Sequence, residues 1–380
     1  MAQVAVPAAT PDAALRWPTD DPRMSRFPSL LSPVTLGALT LPNRVIMAPM
    51  TRCRATPDGV ASPSYAEYFA QRSSAGLMIT DATMISPQAV GYPGAPAIWT
   101  DEQERAWADV TAAVHAVGGV IVVQLTHCGR LSLNALQPAL DPPVSSSAVR
   151  ARDILVPSAQ GTREPVDEPR ALELTELPGI VAQFAHAARR ARAAGFDAIE
   201  IHAAHGHLID QFLRDGVNQR HDRFGGSAEN RARLLLQVTE AVAKEVGADR
   251  TGVRLSPGSA LNDMHDKNPL LTFSVACREL AKLDLAWTHL ADGGDTDLTH
   301  RLRDAYGTPF MLNGGFDAES ANDVIKRELA DAVSFGTLYI ANPDLVERFE
   351  VGAELTLPDP ATFYGGGDTG FIDYPEMSGR

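Results

Sequence analysis

The chain has 380 residues, 44% of them hydrophobic and 21% charged, and carries a net charge of −14 at pH 7. This is the composition of a globular protein with a large core, and the acidic balance speaks against nucleic acid or an anionic membrane surface as the main partner, since either wants a basic patch. Cys53, Cys128 and Cys277 are widely spaced with no CxxC, which gives neither a disulfide framework nor a cysteine-rich metal site and fits a reducing cytoplasm.

Residues 1–26 are rich in Ala, Pro and Asp and read as a flexible N-terminal extension. They lack the basic start and apolar run of a secretory signal. No stretch reaches the ~18 consecutive apolar residues of a transmembrane helix. Residues 27–380 read as one unit. Residues 30–42 alternate apolar positions around Gly37, the mark of a hairpin. Strands are expected at 45–49, 77–80, 120–125, from 198 onward, and at 252–256, 285–290, 309–313 and 331–335. Helices are expected at 64–74, 101–117, 177–194, 229–245, 272–283, 297–306, 317–328 and 344–350. Continuous apolar runs such as VIVVQL suit strands covered on both faces. Eight strands alternating with helices predict a single α/β domain, a (β/α)8 TIM barrel. The Pro/Ser-rich residues 137–169 exceed a plain connection and are expected over the barrel mouth.

In a barrel the chemistry collects where strands end. Those ends carry Thr51, Ala82, Gln124, His202 with His205, Arg254, Asn313 with Gly314 and Gly315, and Gly336 with Thr337. Three histidines, His202, His205 and His207, follow one strand within six residues. Glycine turns after the last two strands suit a phosphate, and Arg254 suits either an internal ion pair or the polar edge of a flavin, where it would stabilise the reduced ring. A GGGDTG run at 365–370 matches a dinucleotide fingerprint in letters only, because no strand precedes it and no helix follows. A mobile or docked C-terminal loop is expected there.

These residues carry a resemblance to the old yellow enzyme family of FMN-dependent ene-reductases. The matching motifs are RVIMAPMTR at 44–52, GYPGAP at 91–96, VQLTHCGR at 123–130, HAAHG at 202–206, NQRHDRFGGS at 218–227 with ENR at 229–231, ANPDL at 341–345 and FYGGG at 363–367. Thr51 and the FYGGG ending resemble the bacterial branch that includes pentaerythritol tetranitrate reductase. The resemblance implies FMN as cofactor and NAD(P)H as reductant, with hydride passing through flavin N5 to the β-carbon of an activated alkene such as an α,β-unsaturated carbonyl. It implies that Thr51 hydrogen-bonds flavin O4. Pro49, Ala82, Gln124 and Arg254 would hold the ring edge, and Gly314, Gly315, Gly336 and Thr337 would surround the phosphate. His202 and His205 would bind the substrate carbonyl oxygen, and Tyr92, Thr126 and Tyr364 would line the substrate pocket. No metal is expected, and the enzyme would be a monomer or homodimer.

Three positions depart from that pattern. His207 stands where the family's proton-donating Tyr is usual, so either His207 or water would deliver the proton. Thr126 replaces a Trp, which predicts a roomier pocket. Thr337 replaces a common phosphate-binding Arg, which predicts weaker FMN retention. Alternatives left open are an FMN-dependent isomerase or specialised biosynthetic reductase, a metal hydrolase using the three histidines, and a flavin-binding protein without turnover.

Overall fold

The apolar runs close into a barrel of eight parallel strands: β1 Val45–Met47, β2 Leu77–Met84, β3 Ile121–Thr126, β4 Ala198–Ala203, β5 Thr251–Leu255, β6 Trp287–Ala291, β7 Phe310–Asn313 and β8 Ala332–Phe335. Each strand pairs with the next in sequence and β8 returns to β1. This is the expected TIM barrel, seen in a computed structural model that describes residues 26–291, 296–307 and 309–377. The extension expected over 1–26 lies outside the described residues except for Arg26. Around the barrel run α1 Ser64–Ala70, α2 Asp101–Ala116, α3 Leu177–Ala193, α4 Leu208–Leu213, α5 Ala228–Val246, α6 Pro269–Ala281, α7 Thr296–Tyr306, α8 Ala318–Lys326, α9 Thr337–Ala341 and α10 Leu345–Val351. Several begin where side chains satisfy the orphan N–H groups of the first turn. Thr100 and Gln103 form a reciprocal box on α2, and Ser227 caps α5.

Two differences from the sequence reading position the site. The second strand was expected to stop at Thr80 but continues to Met84. An extra residue between Ile79 and Ala82 bulges the ladder against β3 and lets pairing resume. The short helix α4 was not expected, because its six residues are all buried and show no amphipathic period.

The expected hairpin, Val34–Leu36 with Leu39–Leu41, joins an apolar cluster with Ile46, Leu77, Val122, Trp287 and Met311 and so closes one end of the barrel. At the other end, residues 137–169, with Arg170 and Ala171, form two small sheets. Arg130 holds this region by donating to the carbonyls of Val149 (3.0 Å), Asn262 (3.1 Å) and Asp263 (2.9 Å). The GGGDTG run is docked. Arg52 donates to the Phe363, Thr362 and Gly370 carbonyls, Arg54 to those of Gly367, Thr362 and Thr369, and Phe371 stacks on Tyr68 at 4.0 Å. The fingerprint reading therefore has no structural basis: these carbonyls face guanidinium groups.

At the hairpin turn, Gly37 has φ +56° and a Cβ there would lie 2.1 Å from the Asp249 carbonyl oxygen. Gly37→Ala is expected to destabilise the protein by about 2 kcal/mol, measured by urea unfolding. Unchanged stability would show that the hairpin does not seal the barrel end.

Candidate active site

The parallel register sets neighbouring strand ends at common levels. Ala82 pairs with Gln124, and Gln124 with Glu200. One step toward the mouth, His202 pairs with Arg254 and Arg254 with His289. The predicted residues Ala82, Gln124, His202 and Arg254 are thus brought together by strand pairing alone.

Among them lies a polar network that the sequence reading missed. Glu200 is fully buried. Its Oε1 accepts from Gln124 Nε2 at 2.8 Å, and its Oε2 accepts from Trp287 Nε1 at 3.1 Å and from His289 Nδ1 at 2.8 Å. His289 Nε2 lies 2.8 Å from Ser334 Oγ. Since a carboxylate only accepts, His289 carries a proton on Nδ1, and because burial lowers its pKa the ring is neutral and Nε2 accepts from the Ser334 hydroxyl. Burial pushes the Glu200 carboxyl upward, but the His289 contact, Arg254 and the Trp287 N–H outweigh it and hold it below the ordinary carboxylate range. The available signal was a lone Glu inside the run Ala198 to Ile201, and a His between Thr288 and Leu290.

Arg254 donates from Nη2 to Asn313 Oδ1 at 2.8 Å, while its buried Nε and Nη1 have no partner among the described residues. Burial lowers its pKa to about 10, against the attraction of Glu200, so it stays charged at neutral pH. That cation and burial act on the histidines. His202 and His205 are held well below the usual imidazole range, by burial first and then by neighbouring imidazoles and Arg254. Both are neutral at pH 7 and can each present an N–H. The His202 and His205 rings stand 5.8 Å apart, and His202 Nδ1 is buried without a partner. His205 adopts φ +54°, a left-handed conformation uncommon outside glycine. Its N–H donates to Ser256 Oγ at 2.8 Å and its carbonyl accepts from Asn262 Nδ2 at 2.8 Å, which fixes the turn.

His207 differs from the other two. Its Nδ1 lies 3.2 Å from the Ala204 carbonyl and its Nε2 lies 3.4 Å from the Tyr92 hydroxyl. The carbonyl requires a proton on Nδ1, so Nε2 is an acceptor and Tyr92 donates to it. Burial lowers the His207 pKa to about 4, so the ring is neutral at physiological pH. Although the His202 and His207 rings are 4.4 Å apart, no group of three or more His, Cys, Asp or Glu among the described residues is placed to hold a metal ion.

The other predicted residues also fall around the mouth. Thr51 Oγ1 accepts from the Ala82 N–H at 3.3 Å, just after Pro49. Gly314 and Gly315 follow β7, and Gly336 and Thr337 follow its neighbour β8. Gly315 has φ +71° and open space where a Cβ would stand, and Thr337 is exposed. Thr126 sits on the Gln124 face of β3, fully buried, with an unpartnered hydroxyl. Tyr364 is 69% exposed, on the loop that Arg52 anchors. The unpaired N–H groups of Arg254, the acceptor left on Gln124 and the adjacent glycine turns form a donor and acceptor set that fits the polar ring edge and phosphate of FMN.

Comparison with known proteins gives the same picture. The model of the NADH:flavin oxidoreductase / NADH oxidase family matches residues 29–356. The chain is 42% identical over 387 residues to 12-oxophytodienoate reductase 7 of Oryza sativa subsp. japonica, covering 95% of this chain and 97% of that protein. It is 45% identical over 361 residues to a chanoclavine-I aldehyde reductase of Penicillium roqueforti (strain FM164), covering 91% and 95%. Among solved structures, morphinone reductase in complex with tetrahydroNAD superposes with a TM-score of 0.89 at 46% identity, covering 92% of this chain and 98% of that one. The old yellow enzyme homologue from Zymomonas mobilis gives a TM-score of 0.89 at 43% identity, covering 92% and 100%.

A neutral His207 is directly observable. Nitrogen-15 NMR is expected to show the Nδ1–H tautomer unchanged from pH 8 down to pH ~5, with protonation only near a pKa of about 4. An imidazolium signal at pH 6.5 would contradict the assignment.

Proposed function

The chain belongs to the NADH:flavin oxidoreductase / NADH oxidase family, and from this we propose that it is an ene-reductase acting on α,β-unsaturated aldehydes, ketones and similarly activated alkenes. It is an FMN-dependent oxidoreductase of the old yellow enzyme type with a nicotinamide reductant. The observation that carries the proposal is the pairing of a buried, incompletely satisfied Arg254 with two neutral histidines at one barrel mouth.

When bound, FMN supplies hydride exchange at N5, from NAD(P)H to the β-carbon of the alkene. The protein's own residues do the rest. Arg254 supplies a fixed positive charge at the ring edge, and Thr51, Pro49, Ala82 and Gln124 hold that edge in place. Gly314, Gly315, Gly336 and Thr337 receive the phosphate through backbone N–H groups and a hydroxyl. His202 and His205 donate hydrogen bonds to the substrate's carbonyl oxygen. Negative charge grows on that oxygen as the β-carbon is reduced, so the two donors bind the transition state more tightly than the ground state. Tyr92, Thr126 and Tyr364 shape the pocket. His207, neutral and already bonded on both nitrogens, orients Tyr92 and does not release a proton. Water then protonates the α-carbon.

The three cysteines are unpaired thiols, which supports a cytoplasmic location. Among the described residues no helix is long and apolar enough to cross a membrane.

Anaerobic reduction with NADH or NADPH followed by a panel of enones tests the activity. Enones are expected to reoxidise the flavin, and failure of every enone would contradict the proposal. His202→Ala and His205→Ala should each slow reoxidation about 10²- to 10³-fold. His207→Ala should leave it at the parent rate, and a loss as large as that of His202→Ala would restore His207 as the proton donor.

A further inference from the structure

Glu200 lies in the middle of β4, inside the barrel, level with Gln124 on one side and Gly252 on the other. We propose that Glu200 is a positioning residue for the flavin: its carboxylate fixes the Gln124 amide and offsets the charge of Arg254, so the site holds reduced FMN less tightly, relative to oxidised FMN, than Arg254 alone would. This rests on the FMN reading above.

The orientation follows from hydrogen-bond chemistry. An ionised carboxylate has no donor, so the Gln124 amide must turn its nitrogen to Glu200. The amide oxygen is then left as an acceptor, which suits the N–H of a flavin ring edge. With the amide reversed, two oxygens would face each other in a buried site.

Arg254 is one strand away from Glu200 and one pairing step nearer the mouth. Its Nε and Nη1 carry positive charge toward no acceptor among the described residues. Reduced flavin bears more negative charge than oxidised flavin, so the net field at the mouth sets the ratio of the two affinities. Burial holds the His289 pKa below the ordinary imidazole range, so at neutral pH the ring is neutral, with Nδ1–H donating to Glu200. The Glu200 charge therefore opposes that of Arg254 without a further cation from His289. The Trp287 N–H also meets Glu200, but it is uncharged and contributes only to placement.

The test is the midpoint potential of bound FMN, read by spectroelectrochemistry on the holoenzyme. Glu200→Gln keeps the shape and removes the charge. It is expected to raise the affinity ratio of reduced over oxidised FMN by about tenfold, a rise of ~30 mV for a two-electron couple. Trp287→Phe, which removes one neutral hydrogen bond, should leave the potential at the parent value. An unmoved potential in Glu200→Gln, or an equal rise in Trp287→Phe, would overturn the proposal. If Glu200→Gln yields no folded holoenzyme, Arg254→Gln is compared with Arg254→Gln/Glu200→Gln, in which the buried pair is neutral. The double variant should have the higher potential by a similar step, and equal potentials would overturn the proposal. Failure of the parent protein to bind FMN would instead remove the reading on which the proposal rests.

Discussion

An ionised carboxylate fully removed from water is the constraint on which the barrel interior depends. Burying such a charge costs several kcal/mol unless donors and an opposite charge surround it. Glu200 meets that demand with Gln124 from β3, Trp287 and His289 from β6, and Arg254 from β5. One side chain thereby ties β3, β5 and β6 across the barrel interior. It also fixes what lies around it: the tautomer of His289, the direction of the Ser334 hydroxyl and the orientation of the Gln124 amide. Gln124, level with Glu200, and Arg254, one pairing step nearer the mouth, also belong to the barrel mouth.

Arg254 sets the second level. Burial first, and then the neighbouring imidazoles and this permanent cation, make further positive charge costly, and the adjacent imidazoles stay neutral. Neutral imidazoles can each offer one N–H to a developing oxyanion while Arg254 supplies the full charge. The turn that presents them is held under local strain. His205 sits in the left-handed region beside Gly206, and the backbone is pinned by Ser256, Asn262 and Asp210. Asp210 is in turn paired with the buried Arg214 at 3.0 Å. His207 closes the same turn, with contacts to the Ala204 carbonyl and the Tyr92 hydroxyl.

The barrel was legible because buried parallel strands read as apolar runs, as in Val120 to Val123, and amphipathic helices separate them. The site was legible where polar residues interrupt those runs at their ends, as at Gln124, His202 and Arg254. Glu200, between Ile199 and Ile201, and His289, between Thr288 and Leu290, were not, since each lies inside a strand and only barrel closure shows that their faces meet. The bulge that carries β2 past Asp81 has no local signature. Nor does the docking of the glycine-rich tail, since Arg52 and Arg54 bind its backbone carbonyls and leave no side-chain pattern to read. At His207 the sequence showed a changed residue type, but its role depends on two contacts, to Ala204 and Tyr92, that only the folded turn creates.

The central claim is that the paired histidines and Arg254 serve hydride delivery to the β-carbon of an activated alkene. Isotope transfer tests it most directly: the enzyme is given FMN, an enone and NAD(P)H carrying deuterium at the transferable C4 position, in ordinary water. The account predicts deuterium at the β-carbon and solvent hydrogen at the α-carbon of the reduced product. Product without deuterium at the β-carbon, or a product isomerised without net reduction, would contradict it.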